Sequence, residues 1–287
     1  MADGGTLKLE KPTSARTFCA ADFDRHFKNA ILEWEQVAFT EDERERLSKM
    51  MLEKYLDAKA RTFFAYHFSP LVQHAVRELF ADNAHPHILE LGCGSGSLSL
   101  LFALLGAKVT SVDMDDVLVG ACRKRQAFYE QQFGKLDLEF HFANTFEFDY
   151  QKLGGVDAIY SLFAFNMMQP TTGLLPRIIP ALRPGGKFMI SDGNRLNLYN
   201  RFMRKRNVLT KSQMAAALKQ NGCNVVTSHY QCCIPPALMR NRALFSVAGT
   251  GESVARALGL LRWFGLSYTI VARKTGTGES FKAAVAG

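Results

Sequence analysis

The 287-residue chain is poor in several features that would otherwise assign it quickly. None of its six cysteines stands at Cys-x-x-Cys spacing, which removes the usual zinc and thioredoxin-like readings. They are expected as reduced thiols packed like small apolar residues. Long hydrophobic runs are missing too. The longest, Leu98 to Ala107, is about half of the ~20 residues a membrane-spanning helix needs. Residues Met1 to Thr17 lack the apolar core of a secretion signal. No His or carboxylate spacing resembles a metal site, so none is expected. A soluble, cytoplasmic protein follows as the expectation.

Acidic residues are scarce in one place. From Arg195 onward, fourteen Lys and Arg face only Glu252 and Glu279, although the whole chain is +8. Such asymmetry suggests that the C-terminal third meets something anionic: an acidic small molecule, a phospholipid surface or nucleic acid. A solvated basic face is the plain alternative.

A hydrophobic content of 47% is enough for a full core. Up to about Ala81 the pattern is helical. Phe23, Phe27, Ile31, Trp34 and Ala38 recur every three or four residues, and Thr40 with Glu43 forms a capping-box signature before a helix from about Glu41 to Ala58. Pro70 is read as opening the next helix. After Pro86 the pattern alternates. Strands are predicted at His87–Leu91, Lys108–Asp113, Leu138–Ala143, Val156–Leu162 and Lys187–Ser191, with helices between them. Two more follow at Val225–Tyr230 and Tyr268–Ala272. This predicts an α/β protein: a Rossmann-like, mostly parallel seven-stranded sheet with helices on both faces. An N-terminal helical segment (1–83) precedes the main domain (84–287). A helical insertion at about 235–265 precedes the last strand, too long for an ordinary connection and read as a lid or acceptor-binding element.

The chemistry concentrates at Glu90-Leu91-Gly92-Cys93-Gly94-Ser95-Gly96. Glycines between a strand and a helix allow a sharp turn and close approach to a ligand, and the helix start offers oriented N–H groups. Asp113 ends the next strand, where a carboxylate can accept both hydroxyls of a ribose. The dinucleotide fingerprint would place its third glycine at position 97, which is serine. Nicotinamide binding therefore fits imperfectly, though a nucleotide ligand fits.

Together with Leu182-Arg183-Pro184-Gly185-Gly186 before the fifth strand, these elements resemble the class I S-adenosylmethionine-dependent methyltransferases over about Pro86 to Asp192. The resemblance extends to the small-molecule branch. It implies S-adenosyl-L-methionine as cofactor, with the Gly92, Cys93, Gly94 and Gly96 loop around its methionine part and Glu90 near the amino group. Asp113 would bind the ribose and Met114 would lie on the adenine. Asn144 would meet the adenine amine, Thr145 is a further cofactor-binding residue, and Ser161 and Phe163 would border the methyl donor.

Methyl transfer needs alignment of the acceptor with the methyl group, exclusion of water and sometimes a base. His67, Asn166 and Asp192 are the candidates for the catalytic role. Tyr66, Asn194, Arg195, Arg201 and Arg204 are candidates for the acceptor. Ser161-Leu162-Phe163-Ala164-Phe165-Asn166 departs from the motif of exocyclic-amine methylases, which disfavours nucleic acid bases. The expected acceptor is a small molecule, anionic or lipid-linked, with peripheral membrane contact as one way of reaching it. The alternatives are an RNA or protein methyltransferase using the basic third, and a non-catalytic or NAD-binding Rossmann protein.

Overall fold

The computed structural model describes residues 8–52, 58–197, 209–232 and 242–276. Two compact units account for the fold: Met1–Pro86 with Cys93–Phe142, and His87–Gly92 with Ala143–Gly287. The strands are β1 (His87–Leu91), β2 (Lys108–Asp113), β3 (Leu138–Phe142), β4 (Val156–Leu162), β5 (Leu182–Gly193), β6 (Cys223–Gln231) and β7 (Ser267–Lys274). They form one seven-stranded sheet in the order β3-β2-β1-β4-β5-β7-β6. β2 pairs with β3, β1 with β4 and β4 with β5 in parallel, while β7 is antiparallel to both β5 and β6. The expected mostly parallel Rossmann-like sheet is the one observed.

In the first unit, α1 (Ala20–Gln36) buries Phe23, Phe27, Ala30 and Leu32. Ala38 lies beyond its end, because the chain turns extended at Val37. Thr40 and Glu43 make the predicted reciprocal cap of α2 (Glu41–Leu47). The helix expected to run on to Ala58 instead widens into a π-helical turn, Ser48–Leu52. Pro70 does not open a helix; it sits inside α3 (Ala58–Phe80). An internal proline costs about 3 kcal/mol. Leu71, Val72, Ala75, Val76 and Leu79, all buried, lie on the turns just after it and offset that cost. Helices α4 (Ser97–Leu104) and α5 (Asp116–Phe133) complete this unit. Every residue of α4 is buried, Ser97 and Ser99 among them, as a mostly apolar helix beside a sheet requires.

The second unit holds the central strands. β1 is buried at every position, as a strand covered on both faces must be. The remaining helices are α6 (Thr171–Ile178), α7 (Lys211–Gln220), α8 (Arg242–Ala257) and α9 (Leu261–Phe264). Thr210 and Gln213 cap α7 reciprocally, as their spacing predicts. The described part of the 235–265 segment is thus helical.

Candidate functional site

β1 runs into the glycine loop. Gly92, Gly94 and Gly96 all have positive φ, at 74°, 52° and 71°, a region that strains any residue with a Cβ. They differ in what surrounds them. A Cβ on Gly96 would lie 2.7 Å from Cys122 Sγ and 3.0 Å from Phe140, and one on Gly92 only 2.4 Å from Ala164 Cβ. At Gly94 the nearest atom is Met50 Sδ at 3.4 Å, on the π-helical turn. Gly96 and Gly92 are glycines because protein fills the space; around Gly94 the space is largely open.

Within the first unit the loop is held from three sides. The Gly94 N–H donates to Asp113 Oδ2 at 2.7 Å, and Asp113 Oδ1 accepts from the Asp115 N–H at 3.1 Å. Each carboxylate oxygen retains a lone pair for a further donor. Cys122 Sγ donates to the Gly94 carbonyl at 3.3 Å. Arg125 reaches the Ser95 carbonyl and, at 3.1 Å, the Ser97 hydroxyl. Met114 is 74% exposed, which removes core packing as its role and leaves it open to a ligand.

Sequence reasoning missed the network behind Arg125. Its guanidinium is buried in a two-point ion pair with Glu33 of α1, with Nη2 donating to Oε1 at 3.1 Å. Tyr129 donates to the same Glu33 oxygen at 2.7 Å. Burial opposes the guanidinium charge, but the facing carboxylate outweighs it and raises the Arg125 pKa. His26, two turns before Glu33 on α1, donates from Nε2 to the Ser97 carbonyl at 2.7 Å. A carbonyl accepts only, so this nitrogen carries the proton. Burial, opposed by that hydrogen bond, pushes the imidazole pKa down to about 4 and keeps it neutral. These residues lie about 60–100 positions apart in sequence (from Glu33 to Ser95, and from His26 to Tyr129). Only Arg125 and Tyr129, four residues apart on α5, hint at a shared face.

In the second unit Glu90 is buried and pairs in register with Tyr160. Burial first, and then the Glu90 charge, push the Tyr160 pKa up. Ser161 is also buried, and its hydroxyl donates to the Leu91 carbonyl at 2.8 Å. Phe163 has a φ of 56° although it is not glycine. Its N–H donates to the Ser191 carbonyl, which holds this strained residue at the end of β4. Asn144 is exposed and caps the turn after β3 by accepting from the Phe146 N–H at 3.0 Å. Thr145 is buried, its carbonyl accepting from Tyr150.

The proposed catalytic and acceptor residues divide. Asn166 is a buried hub. Its backbone N–H donates to Asp192 Oδ2 at 2.8 Å, its amide donates to Tyr268 Oη at 3.2 Å, and its side-chain oxygen accepts from the Leu209 N–H. Asp192 is likewise buried, its other oxygen accepting from the Gly193 N–H. Asn194 is fully buried and donates to the Arg262 and Gly265 carbonyls, so its amide anchors α9. Arg195 is exposed. In the first unit His67 is buried with its ring edge-on to Phe68, and Tyr66 is half-buried. Arg201 and Arg204, with the neighbouring Lys205 and Arg206, lie outside the described residues. Among the described residues no group of three His, Cys, Asp or Glu could hold a metal ion.

Comparison with known proteins gives the family and the fold. The methyltransferase domain family matches residues 64–228. A ubiquinone biosynthesis O-methyltransferase of Xanthomonas axonopodis pv. citri is 28% identical over 114 residues, which is 40% of this chain and 46% of that protein. The homologous enzyme of Aeromonas salmonicida is 30% identical over 110 residues, covering 38% and 43%. The chain thus aligns with less than half the length of these curated relatives. Among solved structures, magnesium protoporphyrin IX methyltransferase from Synechocystis PCC 6803 with bound SAH superposes with a TM-score of 0.55 at 14% identity, over 81% of this chain and 97% of that one. The N-methyltransferase NodS of Bradyrhizobium japonicum WM9, in complex with S-adenosyl-L-homocysteine, gives 0.55 at 12% identity over 82% and 97%. At such identity these two establish the fold.

Proposed function

Since the chain belongs to the methyltransferase domain family, whose methyl donor is S-adenosylmethionine, we propose that it transfers that methyl group to a small acceptor that is anionic or lipid-linked. The observation that carries the donor half is the Gly94 N–H bonded to Asp113 in a loop whose central glycine faces open space. This loop has the positive φ values and free lone pairs that a nucleoside ligand needs. In the first unit, Cys93, Gly94 and Gly96 would take the methionine part, Asp113 the ribose and Met114 the adenine. In the second, Gly92 and Glu90 belong to the methionine side, Asn144 and Thr145 to the adenine, and Ser161 and Phe163 to the methyl donor.

Bound S-adenosylmethionine supplies an electrophilic methyl group on a good leaving group. What remains for the chain is to align the acceptor and keep water out. Asn166 and Asp192 are read as positioning groups: both are buried, and their hydrogen bonds tie the ends of β4, β5 and β7 together. His67 is the remaining candidate for a base, and a reaction with no dedicated base is the simpler form of the proposal. The names of the curated relatives support a small acceptor of the kind met in ubiquinone biosynthesis. The basic C-terminal third supports an anionic acceptor and is also what would favour an RNA or protein methyltransferase, the second reading.

The test is calorimetry with S-adenosylmethionine, its demethylated product and NAD, followed by transfer of labelled methyl into small-molecule, lipid and RNA fractions. Binding of both methionine-derived ligands but not NAD, with label in the small-molecule or lipid fraction, is expected. NAD binding alone, or label confined to RNA, refutes the proposal.

A further inference from the structure

The helical segment before β7 exposes an apolar surface that a folded domain ordinarily covers. Eleven large hydrophobic side chains are exposed among the described residues, and five of them fall between positions 254 and 264. They are Val254 (53%), Leu258 (66%), Leu260 (40%), Trp263 (52%) and Phe264 (50%). Leu261 and Glu252 point inward, at 6% and 7% exposure, so α8 and α9 present two distinct faces.

This exposure is not that of a fraying end. Asn194 and Asn197, both buried, donate to the carbonyls of Arg262, Phe264 and Gly265. The Leu266 N–H donates to the Cys232 carbonyl at 2.6 Å. The apolar surface is therefore fixed to the chain leaving the carboxyl end of β5, the end at which ligands bind in sheets of this kind.

The charge along this part of the chain is nearly all of one sign. Among the described residues after Asp192, Glu252 is the one carboxylate, and it is buried and paired with Arg256 at 3.0 Å. Arg262 lies over the Trp263 ring, 5.3 Å from its centroid, and Lys211 lies 4.4 Å over Tyr230. Burial, and then the charge of Arg262, hold the Lys211 pKa below its usual range, so the two cations share a neighbourhood. A second copy of the chain on this face would set like charges against each other. RNA would find one aromatic pair but aliphatic Val254, Leu258 and Leu260 where bases stack poorly. An anionic lipid interface matches both properties: apolar side chains enter the acyl boundary, Trp sits at headgroup level and arginines meet phosphates.

We propose that α8 and α9 dock on an anionic phospholipid surface, with Leu258, Trp263 and Phe264 entering it and Arg256 and Arg262 contacting the headgroups. The docking stands on exposure and charge; only its use, delivery of a lipid-borne acceptor, rests on the proposed function.

Co-sedimentation of the full chain with vesicles of phosphatidylcholine, with or without about one-third phosphatidylglycerol, tests it directly. Binding to the anionic vesicles, little to the neutral ones and weakening with salt are expected. Trp263→Ser with Phe264→Ser should weaken vesicle binding roughly tenfold or more. Arg256→Gln and Arg262→Gln should each weaken it about fivefold at low salt. In a Trp34→Phe background Trp263 is the one indole, and its emission should shift to the blue on addition of anionic vesicles. Unchanged melting and unchanged S-adenosylmethionine affinity establish that these variants are folded. Equal binding to neutral vesicles, no binding to either, or variants that bind like the parent overturn the proposal. So does a dimer, or an RNA complex, that the Trp263 and Phe264 changes abolish while vesicle binding persists. Vesicle binding in a chain that fails to bind the methyl donor would refute the proposed function and leave the docking intact.

Discussion

Glu33→Ala is the perturbation that most directly tests how the glycine loop is held. Glu33 and Arg125 are each 2% exposed, and Tyr129 is fully buried against them. Removing the carboxylate strands a guanidinium in the interior and deprives the Tyr129 hydroxyl of its acceptor. Breaking a buried pair in this way costs ~3–5 kcal/mol, a fifth or more of the ~5–15 kcal/mol that stabilises a typical domain. The hydroxyl adds little more, because the three groups act as one network. Removing both charges should be gentler. Glu33→Met with Arg125→Met replaces the pair by apolar side chains of similar length, and its cost should fall well short of the two single costs combined. Urea unfolding followed by circular dichroism gives the stabilities, and calorimetry gives donor affinity. Because Arg125 also binds the Ser95 carbonyl and Ser97, the double variant should stay folded yet bind S-adenosylmethionine more weakly. Glu33→Ala within 1 kcal/mol of the parent, or a double variant as unstable as the two singles added, would refute the reasoning.

Asp113→Ala frees the Gly94 N–H and removes the carboxylate proposed to hold the ribose, so donor affinity by calorimetry should fall by about 1–3 kcal/mol, or roughly 5- to 150-fold; unchanged affinity would mean that Asp113 only shapes the loop. Gly94→Val should keep the fold and lose the donor, since its Cβ meets only Met50, whereas Gly96→Ala should unfold the chain at markedly lower urea because its Cβ meets Cys122 and Phe140. His26, with its folded pKa depressed to about 4 by burial, binds no proton over a range where the unfolded imidazole does. Stability should therefore fall as pH drops from about 6.5 to about 4, by up to roughly 3 kcal/mol, and His26→Asn should flatten that slope in urea titrations at several pH values. Asn166→Ala leaves the Leu209 N–H without its acceptor and the Tyr268 hydroxyl without a donor; it should cost about 1–3 kcal/mol, with a drop in kcat that a purely local destabilisation would not give once the protein is folded.

Order along the chain was legible because it depends on local pattern. The strand limits at His87–Leu91, Lys108–Asp113 and Val156–Leu162 follow from short apolar runs bounded by glycine, proline or charge, and the caps at Thr40 and Thr210 from side chains three residues apart. The glycine loop could be picked out because its constraint, positive φ beside a strand end, leaves its mark on residue type, and Asp113 because it is a carboxylate at the end of the next strand. Tertiary structure decided what depends on distant partners. Pro70 stays inside a helix because buried neighbours outweigh one lost hydrogen bond. Asn194, to a sequence reader a polar residue near a ligand, is an internal clamp because the Arg262 and Gly265 carbonyls come back to it. Glu33, Arg125 and His26 look like ordinary residues of solvated helices until the fold buries them against the loop. A local pattern records what a residue's own backbone requires; a buried charge is specified by a partner about ninety positions away (Glu33 to Arg125), and no spacing rule reaches that far.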